Sequence, residues 1–199
     1  MENERDLEGA IGRLGVHDHL CLIYETQEEQ FAAVFPYIKN GLERGEKCVY
    51  IVDDHTAEAV LAGMTAAGLD AQAAIRSGKL AILSKQETYL KEERFDPDWM
   101  IAFLKRAMLE AKAMGFSALR VTGEMTWMLG GDPGVERLME YEAKLNFFLP
   151  ENDVLAICQY NLNRFSAEVI KNVLSTHPLI IYGGMVRRNF YYVPPEEFL

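Results

Sequence analysis

Between Gly15 and Gly41 there is no glycine, and nowhere does a Gly-Lys-Ser/Thr occur. That absence excludes an ordinary phosphate loop, whose backbone N–H groups, lysine and hydroxyl hold a triphosphate. No basic run is longer than Arg187-Arg188, and the formal net charge is −10. Such a field repels polyphosphate backbones, so direct nucleic-acid binding is not expected. The apolar runs are strand-sized, short of the ~20 residues that span a bilayer, and the first residues, MENERDLEG, are charged rather than signal-like. A soluble, cytoplasmic protein is expected, with no membrane contact. The cysteines, Cys21, Cys48 and Cys158, are odd in number, far apart and set in hydrophobic runs, which suits reduced core thiols better than disulfides or a zinc knuckle. No Gly-x-Ser-x-Gly occurs to anchor hydrolase chemistry.

What is present is a chain of 199 residues, 49% hydrophobic, enough for one well-buried core. A single domain over 1–199 is expected, with 1–16 as an N-terminal extension. Strand-like runs at 19–25, 47–54, 78–84, 117–129 (with its exit), 153–161 and 179–184 alternate with helical periods at 28–44, 56–67, 97–114, 135–148 and 166–177. Phe31, Val34, Phe35, Ile38 and Leu42 recur at helical steps and give the first of these helices its buried stripe. Asp96-Pro97 reads as a cap and first position, and residues 86–100 as a polar connection leading into that helix. The tail from Met185 alternates enough for an edge strand before Pro194-Pro195. This order predicts an α/β fold, a three-layer α/β/α sandwich around a mostly parallel sheet.

From Ser77 to Trp127, the Gly-Lys-Leu strand, polar loop, Phe-Asp, long helix and hydrophobic strand resemble in order the KaiC branch of RecA-like ATPases, without their phosphate loop. A second resemblance rests on His19-x-Cys21-x-x-Tyr24, GLERGEKCVYIVDD (41–54), TGEMTW (122–127), CQYN (158–161) and His177-Pro178. These motifs resemble the MEDS domain, a sensory domain of regulators in methanogens and methylotrophs. The resemblance implies a non-catalytic domain that binds a one-carbon or hydrocarbon-derived metabolite and signals to a protein partner such as a kinase or transcription regulator. No helix-turn-helix, kinase or receiver segment is recognisable in the chain, and a homodimer is compatible with it. A divergent RecA-like nucleotide-binding protein and a metal- or thiol-based redox sensor are the alternatives.

Open parallel sheets bind ligands at the C-terminal ends of their strands. Glu124 and Trp127 follow the fourth strand there, an acceptor beside an aromatic wall. Tyr24, Glu25 and Thr26 occupy the turn where a phosphate loop would sit, and Thr26 doubles as a helix cap. His19, Cys21 and Ile23 share one face of the first strand because strand side chains alternate. If the RecA-like order holds, the fifth strand lies beside the first and brings Cys158 and Tyr160 toward Cys21; this permits a His/Cys/Cys metal site with His177 as a remote fourth ligand, the alternative being ordinary core thiols with His19 as a satisfied polar group. No CxxC or HxxxH spacing fixes a ligand pair, so no metal, cofactor or catalytic residue is assigned. Asp53-Asp54-His55 is read as a solvated strand exit, with a Mg²⁺ site or an acid/base group as its alternatives. The expected site is therefore His19, Cys21, Tyr24, Glu25, Glu124, Trp127, Cys158, Tyr160 and His177, with an open crevice above the first, fourth and fifth strands.

Overall fold

The computed structural model describes residues 2–199, with side chains from Leu7 onward. In chain order the elements are α1 (Glu2–Gly12), β1 (His19–Tyr24), α2 (Gln27–Glu43), β2 (Lys47–Val52), α3 (Ala57–Ala66), α4 (Ala71–Arg76), β3 (Leu80–Ser84) and α5 (Pro97–Ala113). There follow β4 (Leu119–Glu124), α6 (Leu138–Phe148), β5 (Val154–Asn161), α7 (Ala167–Thr176), β6 (Leu179–Tyr182), β7 (Met185–Arg188) and α8 (Pro195–Phe198). The seven strands form one sheet in the order β3-β2-β4-β5-β1-β6-β7. Every pairing is parallel except β6 with β7. That hairpin closes through Gly183 and Gly184, both at positive φ, which a two-residue turn matching the strand twist requires.

Strand alternation sorts the core into two halves. Cys21, Ile23, Val121, Ala156, Cys158 and Tyr160 face α5, α6 and α7, while Leu20, Leu22, Tyr24, Tyr50, Leu155 and Ile157 face α1 to α4. The long helices start as their sequences demand: Thr26 accepts from the Glu29 N–H, and Asp96 from those of Asp98 and Trp99. Tyr37, buried on α2, donates from its hydroxyl to the Val121 and Leu155 carbonyls of β4 and β5 and ties helix to sheet.

Three segments take a more definite form than their sequence alone suggests. Within 1–16, α1 sends Leu7 and Ile11, followed by Leu14, into the α2-side core at helical spacing. The fourth strand ends at Glu124, and Thr126–Gly130 tighten into a 3₁₀ turn. The polar connection before α5 is polar only in part: Tyr89, Leu90 and Phe95 are buried and fold over the ends of the strands.

Candidate functional site

Glu124, the last residue of β4, points to the α2 side and is fully buried. Its Oε2 accepts from the Asp53 N–H at 2.8 Å and the His55 N–H at 3.0 Å. Its Oε1 accepts from the Tyr50 hydroxyl at 2.9 Å and Gln30 Nε2 at 3.3 Å, and lies 3.0 Å from His55 Nδ1. Gln159 joins through Gln30 at 2.7 Å and donates to Thr122 at 2.8 Å. Burial pushes the Glu124 carboxyl up, but the bonds from His55 and from the two amides outweigh it and hold it below its ordinary value. The same bond raises His55. Around this hub Asp53 pairs with Lys85 at 2.8 Å and Asp54 with Arg164 at 2.7 Å, so the acids at the β2 exit are consumed in ion pairs.

Trp127 lies across the sheet from that hub, among the residues facing α5 and α6. Its ring stacks on Tyr89 with centroids 4.7 Å apart and meets Phe95 at 4.8 Å. Gly123 makes the approach feasible, since a Cβ there would stand 2.3 Å from the Tyr89 hydroxyl oxygen. Glu124, Trp127 and Tyr160 each have 0% exposure, which leaves no room beside them even for a water molecule. The open crevice expected above β1, β4 and β5 is therefore filled, by the aromatic plug on one face and the carboxylate hub on the other. Nor do the expected residues form one site. Tyr24 and Glu124 lie on the α2 face, whereas His19, Cys21, Cys158 and Tyr160 lie on the opposite one, and Glu25 is exposed at the turn.

On that opposite face the chain assembles a second polar centre. β1 pairs with β5 with Cys21 directly opposite Cys158, as the strand-order argument anticipates. The fourth partner is one the sequence reading missed: Glu142 of α6, fully buried. Its Oε2 lies 3.3 Å from His19 Nε2, 3.3 Å from His177 Nε2 and 3.3 Å from Cys158 Sγ. Its Oε1 accepts from the Tyr160 hydroxyl at 2.5 Å. Burial and the neighbouring His177 lower His19 and outweigh Glu142, so its neutral form is favoured. Burial, reinforced by Glu142, pushes Cys158 and Tyr160 far up. Cys21 stands outside this cluster, its thiol 3.8 Å from the Leu179 carbonyl. One signal for Glu142 was readable: Leu138, Tyr141, Leu145 and Phe148 mark the buried stripe of α6, and position 142 falls inside it.

Two surface grooves adjoin these elements. One of about 220 Å³ lies at the C-terminal ends of β1 and β6, lined by Leu22, Ile23, Ala32 and Ile181 with Glu28 and Glu29 at its mouth. Another, of about 490 Å³, has His19 in its lining together with Pro178, Leu179, Asn189 and Tyr192.

In fold the molecule is similar to a KaiC-like protein of the hyperthermophilic archaeon Pyrococcus horikoshii (TM-score 0.58, 20% identity, 83% of this chain and 70% of that one). It is also similar to the flagellar accessory protein FlaH of Methanocaldococcus jannaschii (TM-score 0.59, 14% identity, 91% and 80%). These likenesses show a RecA/KaiC-like fold. In sequence it is 27% identical over 165 residues to the transcriptional repressor DcmR of Methylorubrum extorquens, a match covering 82% of this chain and 59% of the repressor. Residues 18–178 match the family described as MEDS, the methanogen/methylotroph, DcmR sensory domain, and the chain belongs to that sensory family.

Proposed function

We propose that this chain is a non-catalytic sensory domain that binds a small one-carbon or hydrocarbon-derived molecule and reports its occupancy to a protein partner, such as a kinase or transcription regulator. The observation that carries this reading is the turn after β1. In a nucleotide-binding relative of this fold, backbone N–H groups there would meet a phosphate. Here the Glu29 carboxylate accepts from the Glu25 N–H at 2.8 Å, and Thr26 Oγ1 is occupied by the Glu29 N–H at 3.2 Å. With Glu28 and Glu29 in the first turn, the helix end is already satisfied and negatively charged, and a triphosphate is repelled.

What remains beside that turn is the groove between β1, α2 and β6. Its lining by Leu22, Ile23, Ala32 and Ile181 is apolar and its volume, about 220 Å³, suits a molecule of a few heavy atoms. The two glutamates at its mouth supply acceptors for a polar group on that molecule.

Native mass spectrometry of gently purified protein, followed by ligand-observed NMR with short-chain alcohols, amines and halocarbons, tests the assignment. One class binds at one equivalent, and Ala32→Phe, which fills the groove from an exposed helix position, abolishes the signal. If no class binds the wild type, or if Ala32→Phe binds equally well, the groove is not the sensor site.

A further inference from the structure

We infer that His19, Glu142, Cys158 and His177 form a closed binding site for one divalent transition-metal ion of the zinc class. The site lies on the face of the sheet opposite the Glu124 hub and does not depend on which molecule the domain senses. It departs from the arrangement that strand order suggests, in which Cys21 and Cys158 would be the thiol pair, because Glu142 takes the place given there to Cys21.

Geometry comes first. The four ligand atoms all lie within 4.8 Å of one another. Glu142 Oε2 is 3.3 Å from each of the other three, and Cys158 Sγ is 3.8 Å from His19 Nε2. In a tetrahedral zinc site with bonds of about 2.0–2.3 Å, neighbouring ligand atoms stand about 3.3–3.8 Å apart. These four edges fall in that range with no ion to organise them.

The supporting shell is in place as well. Asn146 donates its amide hydrogens to the Glu142 and Thr176 carbonyls at 3.2 and 2.7 Å, which turns its Oδ1 toward His19 Nδ1 at 3.0 Å. The Val173 carbonyl lies 2.8 Å from His177 Nδ1. Both rings therefore carry their proton on Nδ1 and present Nε2 as a lone pair, the arrangement that metal-bound histidines adopt. Tyr160 donates to Glu142 Oε1, while Oε2 is the oxygen turned toward His19, Cys158 and His177.

The same arrangement is awkward without a cation. His177 Nε2 is fully buried and has no hydrogen-bond partner, although it lies 3.3 Å from a carboxylate. Among the described residues no lysine or arginine pairs with Glu142. Two lone pairs and a carboxylate facing one another in a dry interior are costly, and a divalent ion with a Cys158 thiolate makes the centre neutral. Metal binding would expel the thiol proton to solvent. One thiolate, two imidazoles and one carboxylate select zinc or a similar ion over calcium or magnesium, and four protein ligands leave no open position for catalysis. Of the four ligands, His19 also lines a surface groove, together with Pro178 and Leu179.

The test uses full-length protein purified without chelator. Elemental analysis gives one equivalent of metal, and zinc-edge X-ray absorption on the wild type finds one sulfur and three nitrogen or oxygen neighbours. Reconstitution with Co²⁺ gives tetrahedral visible bands and a thiolate charge-transfer band that Cys158→Ser removes and Cys21→Ser keeps. Asn146→Ala, which frees the His19 ring, weakens Co²⁺ binding about 10–100-fold. A protein that takes up no metal on reconstitution, a first shell without sulfur, or a charge-transfer band lost in Cys21→Ser instead would overturn the assignment. The absorption measurement decides the matter even if Cys158→Ser does not fold.

Discussion

Cys158 and Gln159 are neighbours on β5 and serve different centres: Cys158 lies 3.3 Å from Glu142 on one side of the sheet, and Gln159 accepts from Gln30 at 2.7 Å on the other. One strand thus supplies both polar clusters, and a shift of β5 by a single residue would exchange their side chains. The two clusters fail in different ways, and each can be probed alone.

Glu124→Gln keeps the shape of the hub but sets an amide N–H₂ against donors from Asp53, His55 and Tyr50. At least one buried donor then loses its acceptor, at a cost of about 3 kcal/mol or more. Urea unfolding should show a lower midpoint with an unchanged slope; an unaltered midpoint would mean the hub is not a structural keystone.

Stability should also follow the His55–Glu124 pair with pH. His55 is raised above its ordinary 6.5, so its contribution is complete below that value and is lost as pH rises through the raised one. Glu124 is held below its ordinary 4.5, so its contribution is complete above that value and is lost as pH falls through the lowered one. Asp54 beside His55 adds to the first effect, while Tyr50 and Gln30 face the carboxylate as neutral donors. The stability difference between wild type and His55→Asn should therefore be greatest between pH 4.5 and 6.5 and shrink on both sides, as read from unfolding curves across that range.

MgATP should give no binding heat, because the Glu25 N–H and Thr26 Oγ1 are already taken by Glu29. A micromolar dissociation constant, about −8 kcal/mol, would restore the nucleotide-binding reading.

Gly123→Ala should loosen the aromatic plug. Its methyl group would stand 2.3 Å from the Tyr89 hydroxyl oxygen, and overpacking of this kind costs about 1–3 kcal/mol. In a Trp99→Phe background the emission of Trp127 should shift to the red as Tyr89 is displaced. Trp127→Ala should cost more, about 3–5 kcal/mol, as a large buried ring is lost.

The layered fold was legible because its signals are local: Phe31, Val34, Phe35 and Ile38 mark a helix face without reference to the rest of the chain, and Asp96-Pro97 marks a helix start. The approach of Cys158 to Cys21 is legible for the same reason, since strand order suffices. Two features needed more. Glu124 stands opposite Gln159, so Tyr160 must project through the other face, a relation visible only once the β4–β5 register is known. Glu142 was hidden because a glutamate in an amphipathic helix ordinarily faces water, and only its place in the Leu138–Tyr141–Leu145 stripe says otherwise. The expected crevice failed through Tyr89 and Phe95, whose burial under a charged loop has no periodic signature.

The central β1–β5 pairing has a consequence for biosynthesis. His19 and Cys158 are 139 residues apart in the chain. At about 5–20 residues per second a ribosome needs roughly 7–28 s between delivering one and the other. Throughout that interval the apolar strand HLCLIY has neither β5 nor β6 to pair with, for both flanking partners are made last. The nascent chain must therefore be shielded along β1 until its final quarter emerges, and substitutions in β5 or α7 should reduce yield in the cell by prolonging the exposure of a strand they never alter.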